Sequence, residues 1–88
     1  MKIIECVPNF SEGRNLALIK QITDAMEIVS GITLLDVESG YDTNRTVVTI
    51  VGNPDSVIKS AFLGIKKASE LIDMKKHRGE HSRMGANS

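Results

Sequence analysis

Ile3, Ile4, Cys6 and Val7 make a short, largely β-branched run that Pro8-Asn9 interrupts. Length and branching predict a strand over Lys2 to Val7, with the proline at its exit. Phe10-Ser11-Glu12-Gly13-Arg14-Asn15 then reads as a polar turn around a glycine. From Leu16 the spacing of apolar residues changes to three and four, through Ile19, Ile22, Met26 and Val29, while Lys20, Asp24 and Glu27 fall off that stripe. This pattern predicts an amphipathic helix capped by Asn15 and ending near Ser30-Gly31.

Two further β-branched runs, Ile32 to Val37 and Arg45 to Val51, flank the turn-like stretch from Glu38 to Asn44. They predict two strands joined by a long loop. Val47, Val48, Ile50 and Val51 leave neither face of the second strand clearly polar, so it is expected to be central and covered on both sides. Gly52-Asn53-Pro54-Asp55 carries a cap, a proline suited to the first helical position and an acid for the positive end of the dipole. Val57, Ile58, Ala61, Phe62, Ile65, Ala68, Leu71 and Ile72 then form a wide apolar face, predicting a helix to about Met74. Lys75 to Ser88 shows no period.

The order is therefore β-α-β-β-α followed by an irregular tail. It predicts an α/β (α+β) fold of ferredoxin-like type, with a mixed or antiparallel sheet, two helices on one face and the unit's final strand lacking. Residues 1–88 form one domain, with a core over 2–74 and a tail over 75–88. In that topology the final strand would pair with Lys2 to Val7, so this edge is expected to recruit another strand, from a second copy or another chain.

Composition narrows the classes. A chain this short buries roughly 63% of its surface on folding, enough for one small core. The eleven basic and eleven acidic residues cancel, which argues against a nucleic-acid footprint across the whole chain. One cysteine, Cys6, excludes an internal disulfide framework and fits a reducing cytoplasm. No signal peptide or membrane-spanning run is visible. The neutrality conceals an asymmetry: residues 1–65 carry five basic and eight acidic groups, residues 66–88 six and three.

That basic end holds His77, Arg78, Glu80, His81 and Arg83 within a few positions. Three readings stand: a solvated basic tail after a helix, a zinc pair at His77 and His81 with no third ligand evident, or an anionic-substrate site with an acid/base histidine. In the hairpin loop, Asn44 and Arg45 are either turn residues or a fork of donors held at the start of a buried strand. Ser11-Glu12-Gly13-Arg14 is either structural or a place where free backbone N–H groups meet an anion.

Four segments carry a resemblance: Glu5-Cys6-Val7-Pro8-Asn9-Phe10-Ser11-Glu12-Gly13, Gly40-Tyr41-Asp42-Thr43-Asn44-Arg45-Thr46-Val47, Leu71-Ile72-Asp73-Met74, and His77-Arg78-Gly79-Glu80-His81 through Arg83-Met84-Gly85-Ala86. In order and spacing they resemble the start of the N-terminal subdomain of glutamate formiminotransferase. The resemblance implies transfer of a formimino group between N5 of tetrahydrofolate, the co-substrate, and the amine of glutamate, a step of histidine breakdown in the cytoplasm. It makes His81 the acid/base; no metal, nucleic acid or membrane is expected. Beside it, Glu38 or Glu80 is expected to hold the histidine tautomer, Arg45 and Arg83 to take substrate carboxylates, and Asn44 to bind substrate. Ser82 stands where the family usually has proline and Glu38 where aspartate is expected. The alternative from a different class is a non-catalytic α/β module that binds folate or oligomerises.

Overall fold

The computed structural model of the chain describes residues 2–77. The elements run β1 (Ile4–Cys6), β2 (Asn9–Phe10), α1 (Leu16–Glu27), β3 (Ile32–Gly40), β4 (Arg45–Gly52) and α2 (Pro54–His77). β4 is central. It pairs antiparallel with β3 on one side and with both β1 and β2 on the other. Ile4 faces Gly52, Cys6 faces Ile50 and Phe10 faces Thr46 in one unbroken register, so β1 and β2 are a single strand interrupted at Val7-Pro8. Pro8 still contributes a rung, because its carbonyl accepts the Val48 N–H at 3.0 Å. This is the β-α-β-β-α order expected, with an antiparallel sheet and two helices.

The helices cover one face only. Along β4, Thr46, Val48, Ile50 and Gly52 are buried while Val47, Thr49 and Val51 are half-buried. The expected cover on both sides is thus absent among the described residues, and the apolar run reflects a central position in the sheet. The core joins Phe10, Val48 and Ile50 from the sheet to Leu18, Ile22 and Met26 of α1 and Val57, Ala68 and Ile72 of α2.

Both helices begin where the caps predict. The Asn15 side chain accepts the Leu18 N–H at 3.0 Å, and the Asn53 side chain accepts the Ser56 N–H at 2.9 Å. α2 reaches His77, beyond the expected end near Met74. Gly64 lets the helices approach, since a Cβ there would lie 2.7 Å from Met26 Sδ. Buried Ser60 donates to the Met26 carbonyl at 2.8 Å and so satisfies a group in the last turn of α1.

Three details depart from the periodic reading. Leu16 is exposed, because at about 100° per residue it sits well off the arc centred on Ile22 and Met26. Ile58, Phe62 and Ile65 are exposed on the flank of α2 turned away from α1, so only part of its wide apolar face meets the sheet. β3 continues through Glu38 to Gly40, which cuts the expected long loop to Tyr41–Asn44. Among the described residues no helix is long and apolar enough to cross a membrane.

Candidate functional site

A bulge in β3 decides which way its acids point. Leu34 pairs with Ile50, but Asp36 pairs with Thr49, leaving Leu35 as the extra residue. Without it, Asp36 and Glu38 would share the helix-covered face with Leu34. With it, Asp36 and Glu38 stand opposite Thr49 and Val47 on the open face. Arg45, opposite Gly40, lies on that same face, diagonally across from Glu38.

Glu38, Ser39, Gly40, Thr43, Arg45, Val37 and Val47 line an open hollow of about 600 Å³. An acid and a guanidinium therefore face one space. Neither takes a side-chain hydrogen bond or ion pair among the described residues. A fork of guanidinium donors matches a carboxylate, and a carboxylate beside it suits an amine or an imidazole.

The hollow rests on a turn that a second loop grips. Asn44 adopts a left-handed φ of 54°, and its side-chain oxygen accepts the Gly13 N–H at 2.9 Å. The Thr46 hydroxyl donates to the Glu12 carbonyl. Arg14 Nε donates to the Tyr41 carbonyl at 2.7 Å, and its guanidinium lies 5.1 Å from the Tyr41 ring centroid. Gly13 is wedged against the hairpin so closely that a Cβ would sit 2.3 Å from the Gly40 oxygen.

The Ser11–Arg14 loop is consequently no anion site of the kind its sequence suggested. Glu12 is 1% exposed, and its carboxylate already accepts the N–H groups of Arg14 and Asn15 at 3.0 and 2.9 Å. Gly13 N–H is taken by Asn44, so the donors that would receive an anion are occupied.

Of the expected site residues, the structure brings Glu38, Asn44 and Arg45 to one end of the hairpin. His81, Glu80 and Arg83 lie outside the described residues. The helices lie on the face of the sheet opposite the hollow and run antiparallel: Ile28, just after α1, lies beside Lys59 and Leu63, and Gln21 beside Lys67. The last turns of α2 thus return to the end where α1 starts. Glu12, Gly13, Arg14 and Tyr41 were not expected to cooperate, and no sequence period links positions 14 and 41.

The profile of the formiminotransferase domain, N-terminal subdomain, matches residues 3–88. The chain belongs to this family. It is 56% identical over 85 residues to the formimidoyltransferase-cyclodeaminase of Dictyostelium discoideum, covering 97% of this chain and 16% of the relative. To the glutamate formimidoyltransferase of Streptococcus pyogenes serotype M1 it is 52% identical over 85 residues, covering 97% of this chain and 28% of the relative. That of Thermoplasma acidophilum is 49% identical over 86 residues, with 98% and 28% covered. This member of the formiminotransferase family thus spans less than a third of these relatives, and the hollow and its gripping loop lie within the matched stretch.

Proposed function

We propose that this chain supplies the histidine-bearing wall of a glutamate formiminotransferase, working in the cytoplasm with tetrahydrofolate as co-substrate. The observation that carries the reading is the convergence at one end of the sheet: Glu38 and Arg45, without a side-chain partner among the described residues, share a hollow at the end to which α2 returns on the opposite face, inside a stretch about half identical to named formimidoyltransferases. His81 follows the last residue of α2 by four positions. Four residues reach at most about 14 Å.

The reaction needs a proton carrier there. Attack of the glutamate amine on the formimino carbon forms a C–N bond and gives a tetrahedral intermediate. Collapse breaks the bond to N5 of the folate, provided that a proton leaves the incoming nitrogen and reaches the departing one. His81 takes the proton from the incoming nitrogen and delivers it to N5, and reversal of these steps serves the opposite direction. Glu38 or Glu80 orients the imidazole. Arg45 and Arg83 take substrate carboxylates, and Asn44 holds the turn that presents Arg45. The 2–74 core is the scaffold in this reading, and 75–88 brings the histidine.

The outer edge of β1 favours a partner as well. Because Pro8 turns its carbonyl to Val48, alternation along the strand turns the N–H groups of Ile3, Glu5 and Val7 outward, where no described strand pairs with them. This edge takes a strand from a second copy or from the chain that completes the transferase. A non-catalytic module would use the same edge.

The test is formimino transfer to glutamate by the chain, alone and mixed with the remaining portion of a transferase, against its His81→Ala variant. The expected result is turnover that falls about 10²–10⁴-fold without the histidine. Absence of His81-dependent turnover in both arrangements refutes the proposal.

A further inference from the structure

We infer that Arg14, through its grip on Tyr41, is a positioning residue for the hollow that Glu38 and Arg45 line. The inference deepens the proposed function and rests on it for the identity of the substrate. Arg14 itself is not among the residues that line the hollow. Its guanidinium is engaged twice on one residue: Nε donates to the Tyr41 carbonyl and the plane lies over the Tyr41 ring. Its Nε donor is thus committed to the hairpin backbone.

What it holds is the least supported part of the hairpin. Tyr41 is 70% exposed, and the turn it begins packs no buried apolar side chain of its own. Such segments open locally at little free-energy cost unless polar contacts hold them. Here the contacts fall on both sides of Arg45: Arg14 on Tyr41, Gly13 on Asn44, and Glu12 on Thr46. Gly13 also lies against the Arg45 backbone itself, where a Cβ would come within 2.5 Å of the nitrogen. Three consecutive residues of one loop therefore fix three residues that bracket or precede Arg45. Arg14 is the member that controls the exposed tip.

A binding group has to be held to within about half an ångström to recognise its ligand well. With the tip free, Arg45 samples other directions and the Glu38–Arg45 separation is no longer set. Ligand affinity should suffer more than the stability of the fold. Lysine keeps a cation over the ring but lacks the Nε donor, so it should restore part of the effect.

The experiment compares the chain with Arg14→Ala, Arg14→Lys and Tyr41→Phe by nuclear magnetic resonance, thermal melting and, in the transfer assay, initial rates. Arg14→Ala should speed amide exchange at Gly13 and Arg45 about tenfold and shift the Glu38 and Arg45 signals, with Tm falling by less than about 8 °C. Arg14→Lys should give an intermediate response, and Tyr41→Phe should match the unaltered chain. In the active transferase, KM for glutamate should rise about fivefold to tenfold in Arg14→Ala with kcat within about twofold, the scale of one lost hydrogen bond. Unchanged exchange and shifts at Arg45, or an unchanged KM in an active protein, overturns the inference. Absence of His81-dependent transfer in the unaltered protein refutes the proposed function instead, and the resonance arm then decides the grip by itself.

Discussion

Replacing Gly13 by alanine directs a methyl group into the β3–β4 hairpin. The new Cβ would lie 2.3 Å from the Gly40 oxygen, 2.5 Å from the Arg45 nitrogen and 2.8 Å from the Arg45 oxygen. All three are backbone atoms of a paired rung, so they cannot rotate away. If the loop stays in place, the overlap costs about 1–3 kcal/mol or more as overpacking. If it lifts, the Gly13 N–H leaves Asn44 and the Glu12 carbonyl loses the Thr46 hydroxyl, at about 1–3 kcal/mol for each buried group left unsatisfied. The chain takes the cheaper route, which costs about 1–3 kcal/mol. For a domain of this size that lowers Tm by about 4–24 °C. Gly40→Ala is the control, because its Cβ meets only the Thr43 hydroxyl at 2.6 Å, the end of a side chain that can turn aside. It should cost about 1 kcal/mol or less. Thermal melts followed by circular dichroism, with urea titrations on the same samples, measure both. Equal losses in the two variants, or a Gly13→Ala Tm within about 4 °C of the unaltered chain, refutes the view that Gly13 is a backbone wedge.

Asn15→Ala removes the acceptor of the Leu18 N–H and should destabilise by about 1 kcal/mol, read from the urea midpoint at constant m-value. Met26→Ala empties a fully buried site between α1 and Gly64 and should cost about 2–5 kcal/mol, with an unchanged fold by resonance spectra and a lower midpoint.

Local chemistry made much of the fold legible. Asn15 and Asn53-Pro54 announced the two helix starts, because a cap acts on N–H groups two or three residues away. The strand runs were equally visible, apart from the interruption at Pro8, where the register continues because the missing donor is the only one lost there. Leu16 lies off the apolar arc of α1, whereas Ile58, Phe62 and Ile65 lie on an apolar face that is only partly covered. Apolar period shows that a helix has a face, but the partner decides how much of that face is covered.

Of the site, the motifs around Arg45 and His81 could be read as chemistry because guanidinium, imidazole and carboxylate groups have known roles. Their mutual geometry could not. Glu38 points into the hollow only because Leu35 bulges, and a bulge reflects competition between two strands, not a property of either. The grip of Glu12, Gly13 and Arg14 on a turn about thirty positions away had no local signature either.

The sequence by itself determined the element order, the helix caps, the family resemblance and the residue types available for proton transfer and carboxylate binding. These follow from interactions within a few residues or from the chemistry of single side chains. Only the tertiary structure decided that the Ser11–Arg14 donors are internally occupied, that Glu38 and Arg45 share one open face, and that α2 returns to that end. Each of these depends on long-range pairing through β4, where the register set by one strand fixes the side on which the groups of its neighbours stand.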